Sequence, residues 1–268
     1  MSAKARMRAI VAVAALVAAA VVAGVVYATR QDPAQPKTRC TDGIAAGFYA
    51  PSPNTRAVKD ALQRGPKSAA RTLEALAVEQ PKDPVVQFNY ATALYCGGFD
   101  AEALAAFRKA KKVGRDTRYR IIVDNLLHPQ FFTKGYPQFQ YSGPDPLLVR
   151  GQIAQRTFHQ ETAERLWARA AKLHPNDADA QVAAAVGRFD MDDLSASFSR
   201  LGPLVKRFPQ SQTVRFHLGL LLAWTGQRNL AVKEFLAARK LGAATTLGKE
   251  ANAFLTRLGS SGTSRSKR

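Results

Sequence analysis

Between residues 50 and 242, small and bulky apolar residues fall at helical spacing among polar ones, and the arrangement returns. The stretch YATALYCGGFDAEALAAFRKA carries Ala91, Gly98, Ala103, Phe107 and Ala110. A step of 128 residues lands on Gly219, Gly226, Ala231, Phe235 and Ala238, and takes Pro81, Val86 and Phe88 to Pro209, Val214 and Phe216. Eight matches in order and without a gap exceed what an Ala-rich composition produces. A shorter period lies inside. The small residue of a first helix recurs at Ala57, Ala91, Gly151, Ala185 and Gly219, in steps of 34, 60, 34 and 34. A second helix repeats a small residue (Ala69, Ala103, Ala163, Ser197, Ala231) and then a bulky one (Leu73, Phe107, Trp167, Leu201, Phe235). Leu76, Ala110, Ala170, Leu204 and Ala238 follow three residues later. Pro81, Pro175 and Pro209 close three of the units, where a missing N–H stops a helix.

Small residues at matched heights let two antiparallel helices approach, and the bulky residue fills the gap to the next unit. Gly98 and Gly226 supply the turn between them, whereas Arg64, Phe158 and Asp192 stand at that place in the other units. This pattern resembles the tetratricopeptide repeat (TPR), whose unit is 34 residues long. The resemblance implies an all-α fold: about five helical hairpins in a right-handed superhelix, with repeats 1–2 over 50–114 and repeats 3–5 over 144–242.

The flanks extend this plan. Residues 9–28 contain no charge and would span about 30 Å as a helix, the thickness of a bilayer core. They are expected to form a transmembrane anchor behind a basic tail (1–8). A cleavable signal peptide with its site after Val26-Tyr27-Ala28 is the alternative, and the uninterrupted length favours the anchor. Lys4, Arg6 and Arg8 before the span nearly balance Arg30, Lys37 and Arg39 after it, and the basic tail ahead of a first span favours the repeat domain outside the cytoplasm over the reverse. Residues 29–49, rich in Pro, Gly and polar residues, read as a spacer. Residues 115–143 read as an insertion: one extra helix with an Asp at its N-cap, then a loop with Phe131, Phe132, Tyr136, Phe139 and Tyr141. That loop is either a binding feature or a plug in the seam between two half-arrays. Leu247, Ala251, Phe254, Leu255 and Leu258 make one face of a capping helix over 243–258, ahead of a disordered basic tail at 259–268.

Charge and chemistry change the picture little. The formal charge of +19 is dispersed along the chain, as on solvated helix faces. A second reading is a basic helical-repeat domain that binds an anionic polymer or lipid surface; no specific nucleic acid is expected. His128, His159, His174 and His217 form no two-histidine helical pair, and no Cys or carboxylate is read at ligand spacing to them. No phosphate loop, nucleophile elbow or paired-carboxylate motif is present, so neither catalysis nor a cofactor is expected. Cys40 and Cys96 are the only cysteines. In an exported domain they are expected to pair, closing a loop worth roughly 3–4 kcal/mol.

The expected function is that of a membrane-tethered scaffold holding an extended peptide or partner protein. Membrane-anchored TPR proteins commonly assist assembly of envelope complexes, and the resemblance implies such a role. In that family the first helix of each hairpin lines the concave surface. The corresponding positions are Asn54, Phe88, Thr92, Tyr95, Gln152, Gln155, Phe189 and Phe216. Such a groove is expected to take apolar or aromatic side chains of an extended segment, with Gln152 and Gln155 bonding its backbone. A register error of one position would instead make these aromatics core residues.

Overall fold

Four of the five hairpins begin where a short polar side chain stops the chain and starts a helix. Asp83 accepts from the N–H groups of Val85 and Val86, Asp145 from Leu147 and Leu148, Asp177 from Asp179 and Ala180, and Ser211 from Val214. These caps satisfy donors that the first turn leaves open. Pro84 and Pro146 follow two of them, at a position where a missing N–H costs nothing. The computed structural model describes residues 40, 44–129 and 136–263, with side chains to residue 259. The anchor expected at 9–28, with its basic tail, lies outside the described residues. Among the described residues no helix is long and apolar enough to cross a membrane.

Five pairs of helices follow one another. Helices α1 (Thr55–Leu62) and α2 (Pro66–Glu79) form the first, α3 (Pro84–Gly97) and α4 (Asp100–Val113) the second. An extra helix, α5 (Arg118–Leu127), precedes α6 (Pro146–Arg156) and α7 (Gln160–Leu173). The fourth pair is α8 (Ala178–Gly187) with α9 (Leu194–Leu201) and a short continuation, α10 (Leu204–Arg207). Helices α11 (Gln212–Trp224) and α12 (Arg228–Leu241) form the fifth, and α13 (Thr246–Thr263) covers its end. The break between α9 and α10 falls at Gly202-Pro203, because proline removes a donor and clashes with the carbonyl four residues earlier.

The small–bulky arrangement is the packing code. A Cβ on Gly151 would come within 2.2 Å of the Trp167 indole, one on Gly187 within 2.9 Å of the same ring, and one on Gly219 within 2.9 Å of Phe235. Ala69, Ala91, Ala163 and Ala231 are fully buried, with Leu73, Trp167 and Phe235 beside them. Gly98 and Gly226 take left-handed backbone, φ +85° and +77°. Phe158 adopts the same region at φ 67° without being glycine, its ring stacked 5.0 Å beneath the Arg118 guanidinium.

Four expectations are corrected. In the first pair Ala57 is exposed and Val58 is buried, and the left-handed residue is Gly65 rather than position 64, so the turn into α2 is one residue tighter. The N-cap of α5 is Thr117; Asp116 instead accepts from the N–H and hydroxyl of Thr162, in the first turn of α7, at 2.8 and 2.7 Å. Helix α13 runs on to Thr263, past the expected start of the tail. Finally, part of the expected spacer is packed structure: residues 44–49 run without turn or bend and are held against α3 and α5.

Two apolar clusters result. One gathers Val58, Leu73, Val85, Phe88, Phe107, Tyr119 and neighbours from α1 to α5; the other gathers Leu148, Trp167, Val182, Phe216, Phe235 and neighbours from α6 to α13. Helix α5 serves both, with Tyr119 and Val123 in the first and Ile121 in the second.

Candidate functional site

Two straight segments lie against first helices of hairpins and are held there by their backbones. In the first strap, residues 44–49, the Gly47 N–H donates to Asn89 Oδ1 at 2.9 Å and its carbonyl accepts from Asn89 Nδ2 at 2.8 Å and the Tyr119 hydroxyl at 2.7 Å. That hydroxyl in turn accepts from the Tyr49 N–H at 3.0 Å, and burial pushes its pKa up to about 12, so it stays a donor. Glycine is required at 47 because a Cβ would meet the Phe88 ring at 2.4 Å.

The second strap, residues 136–141, uses other side chains for the same task. Phe139 N–H donates to Gln155 Oε1 at 2.9 Å, and its carbonyl accepts from Gln152 Nε2 at 3.1 Å. Gln155 Nε2 donates to the Pro137 carbonyl at 3.2 Å. The Gln140 N–H donates to His217 Nε2 at 2.9 Å. The Phe139 ring is fully buried, edge-on to Trp167 with centroids 5.2 Å apart and tilted against His217 at 5.1 Å. A side-chain amide presents an acceptor oxygen beside N–H donors, the complement of a peptide group, so Asn89 and Gln155 each match a strap as a neighbouring strand would.

His217 is fixed in one tautomer. Nδ1 lies 2.8 Å from the Thr213 carbonyl and must carry the proton, which leaves Nε2 as the acceptor for Gln140. Burial lowers its pKa from 6.5 to about 4, against the opposing bond to Thr213. Below pH 6.5 the unfolded chain therefore binds a proton that the folded chain refuses. Stability is full above pH 6.5 and falls as pH drops from 6.5 to 4, by about 3 kcal/mol in all at ~1.4 kcal/mol per pKa unit. Urea titrations at pH 7, 5.5 and 4 are expected to show this loss in the natural chain and a smaller one in His217→Gln.

A polar network closes the junction between the two apolar clusters. Lys111 Nζ on α4 lies 2.5 Å from Asp124 on α5, 2.6 Å from Asp192 and 3.6 Å from Asp190 in the α8–α9 turn. His128 Nε2 is 2.8 Å from Asp192, Tyr136 of the second strap donates to Asp124, and Arg120 Nε donates to the Tyr136 hydroxyl at 3.0 Å. Burial pushes the Asp192 carboxyl up, but its bonds to Lys111 and His128 outweigh this and hold it below the usual range. Burial likewise opposes the charge on Lys111, yet Asp124 and Asp192 keep its pKa raised. Sequence reading missed Asp124, four residues before His128. Asp124, His128 and Asp192 bring ligand atoms within 4.8 Å of one another, but the Lys111 ammonium already sits between the two carboxylates, 2.5 and 2.6 Å from them.

The predicted site residues thus fall into three groups. Gln152 and Gln155 bond a backbone, and it is the chain's own. Phe88, Phe189 and Phe216 are buried rather than presented in an open groove: the first lies against Gly47, the second 5.7 Å from Tyr136, and the third 6.1 Å from Phe254 of α13. Thr92 is buried and bonded to the Phe88 carbonyl, Asn54 donates to Asp83 at 2.8 Å, and Tyr95 stays 43% exposed. Of the aromatic loop, Tyr136 and Phe139 are buried in the second strap and Tyr141 stacks on Phe139 at 5.9 Å; Phe131 and Phe132 lie outside the described residues. Cys40 and Cys96 are both disulfide-bonded and neither thiol is free.

Consecutive hairpins, the 34-residue spacing of their small and bulky contacts, and a covering last helix are now in place. The fold is TPR-like. No family model and no curated protein matches the chain. Among solved structures it is similar to MamA (residues 41 to end) from Desulfovibrio magneticus RS-1, at 18% identity and TM-score 0.30 over 71% of this chain and 94% of that one. It is also similar to the TPR2AB domain of yeast Sti1 in its complex with pHSP90, at 13% identity and TM-score 0.36 over 77% and 84% of the two chains. YrrB, described as a TPR protein with an unusual peptide-binding site, matches at 16% identity and TM-score 0.33 over 69% of this chain and 99% of that one. At such values the likenesses carry no weight alone; the TPR-like hairpins decide the fold.

Proposed function

We propose that this chain is a scaffold that binds extended segments of partner proteins, tethered to a membrane by residues 9–28 with its repeats on the outer side. The observation that supports this reading is the pair of straps: first-helix side chains of the array hold straight polypeptide by its backbone in two separate places. A surface that reads backbone and one ring accepts partners of varied sequence, as an assembly or adaptor factor of a cell envelope must. The tether rests on the uncharged twenty-residue run and the basic tail ahead of it.

Two measurements test it. Protease added to cells stripped of their outer layer is expected to digest the repeats, and full protection would reverse the topology. Cross-linking from solubilised membranes is expected to capture a partner that persists as salt rises from 50 to 300 mM. One observation favours a second reading, an anionic polymer or lipid surface. Arg64, Lys67 and Arg71 line an open hollow of about 510 Å³ beside the start of α2. Binding that collapses over the same salt range, and is matched by anionic vesicles, would favour it.

A further inference from the structure

The second strap carries information about what its slot accepts, because the bonds it makes have a register. Taking the buried ring of Phe139 as position i, the slot uses the carbonyl at i−2, the N–H and carbonyl at i, and the N–H at i+1. The N–H at i−2 is not used, and the residue there is Pro137, which has none. The side chain at i enters a pocket walled by Trp167 and His217, while Gln138 at i−1 bonds only within its own segment, to the Tyr136 carbonyl. A proline at i or i+1 would delete a donor that Gln155 or His217 receives.

We propose that residues 136–141 are a resident self-ligand, and that a partner docks by presenting an extended X-Pro-X-Phe-X segment that displaces them from this slot. The proposal rests on the scaffold reading above and specifies its ligand. Occupancy in cis raises the concentration a partner must reach, since a tethered competitor acts at a high effective concentration. The first strap supports the same logic, being another own segment seated by a side-chain amide on a first helix. Tyr136 adds a link to the rest of the molecule: it bonds Asp124 in the network that also holds Asp192, so displacing the strap withdraws one donor from the junction between the two halves.

The probe is the labelled peptide Tyr-Pro-Gln-Phe-Gln-Tyr with blocked ends, titrated by fluorescence anisotropy into the full chain. Phe139→Ala is expected to bind it at least tenfold more tightly than the natural chain, and a peptide with Ala for Phe is expected to bind neither. A Phe139→Ala chain that melts cooperatively yet ignores the peptide, or a natural chain that binds as tightly as the variant, would overturn the proposal. Hydrogen exchange on the natural chain gives a second readout that needs no variant. Excess peptide is expected to accelerate exchange at the Phe139 and Gln140 amides, and unchanged exchange at saturating peptide would also overturn it. If the peptide fails while salt-resistant capture of a partner persists, the self-ligand is wrong and the scaffold reading stands.

Discussion

Replacing Trp167 with alanine is expected to cost about 3–5 kcal/mol and to lower the melting midpoint by roughly 10 °C. Its side chain is fully buried, and its indole N–H donates to the Leu148 carbonyl at 3.2 Å. The ring fills the space left by Gly151 on α6 and Gly187 on α8, so one side chain packs three helices together. Neither glycine can grow to refill the hole without its own backbone moving, which keeps the cavity open. The same ring floors the Phe139 pocket, so faster exchange at the second strap is expected to accompany the loss. Leu173→Ala on the same helix, 57% exposed, is expected to change stability by no more than about 0.5 kcal/mol.

The second large effect lies at the junction. Lys111→Met is expected to cost about 3 kcal/mol or more, because it leaves Asp124, 1% exposed, without its cation. Asp192 is 56% exposed and water can answer its charge, so the penalty comes from Asp124. Asp124→Asn in the Lys111→Met background removes the stranded charge and keeps an acceptor for Tyr136; most of the lost stability is expected to return. A double-mutant cycle by urea denaturation measures this coupling, and additive effects would show that the two side chains act independently.

The parts of this fold legible in the sequence are those that a repeat makes redundant. Ala91, Ala103, Phe107 and their counterparts at Gly219, Ala231 and Phe235 state the hairpin twice, and their burial follows the period. Where the sequence states a feature once, reading it was harder. The turn at Gly65 moves only the first helix of that unit by a residue, from Ala57 to Val58, and no second copy corrects the alignment. The N-caps Asp83, Asp145, Asp177 and Ser211 carry a sequence signal of their own, a short polar residue just ahead of four of the first helices.

The candidate site was half legible. First-helix positions were identified as chain-binding, and Gln152 and Gln155 do bond a backbone. The periodic pattern cannot say that the occupant is supplied in cis, since Asn89 lies 42 residues from Gly47 and His217 lies 77 from Gln140. That coverage is also why Phe88, at a groove position, is core, and why Phe189, which lies past the end of α8 rather than on it, is buried beside Tyr136: a face that would be open in a bare hairpin array is roofed by a strap. Lys111 and Asp192, 81 residues apart, pair for a reason that only the folded chain supplies.

The central claim is that the first helices hold the chain's own backbone in their slots, and amide hydrogen exchange of the full chain tests it most directly. The account predicts slow exchange at Gly47, Phe139 and Gln140, comparable to the interior of α3 and α11, although all three lie outside any helix. Exchange at the rate of an open loop at these amides, with the helices still protected, would contradict it.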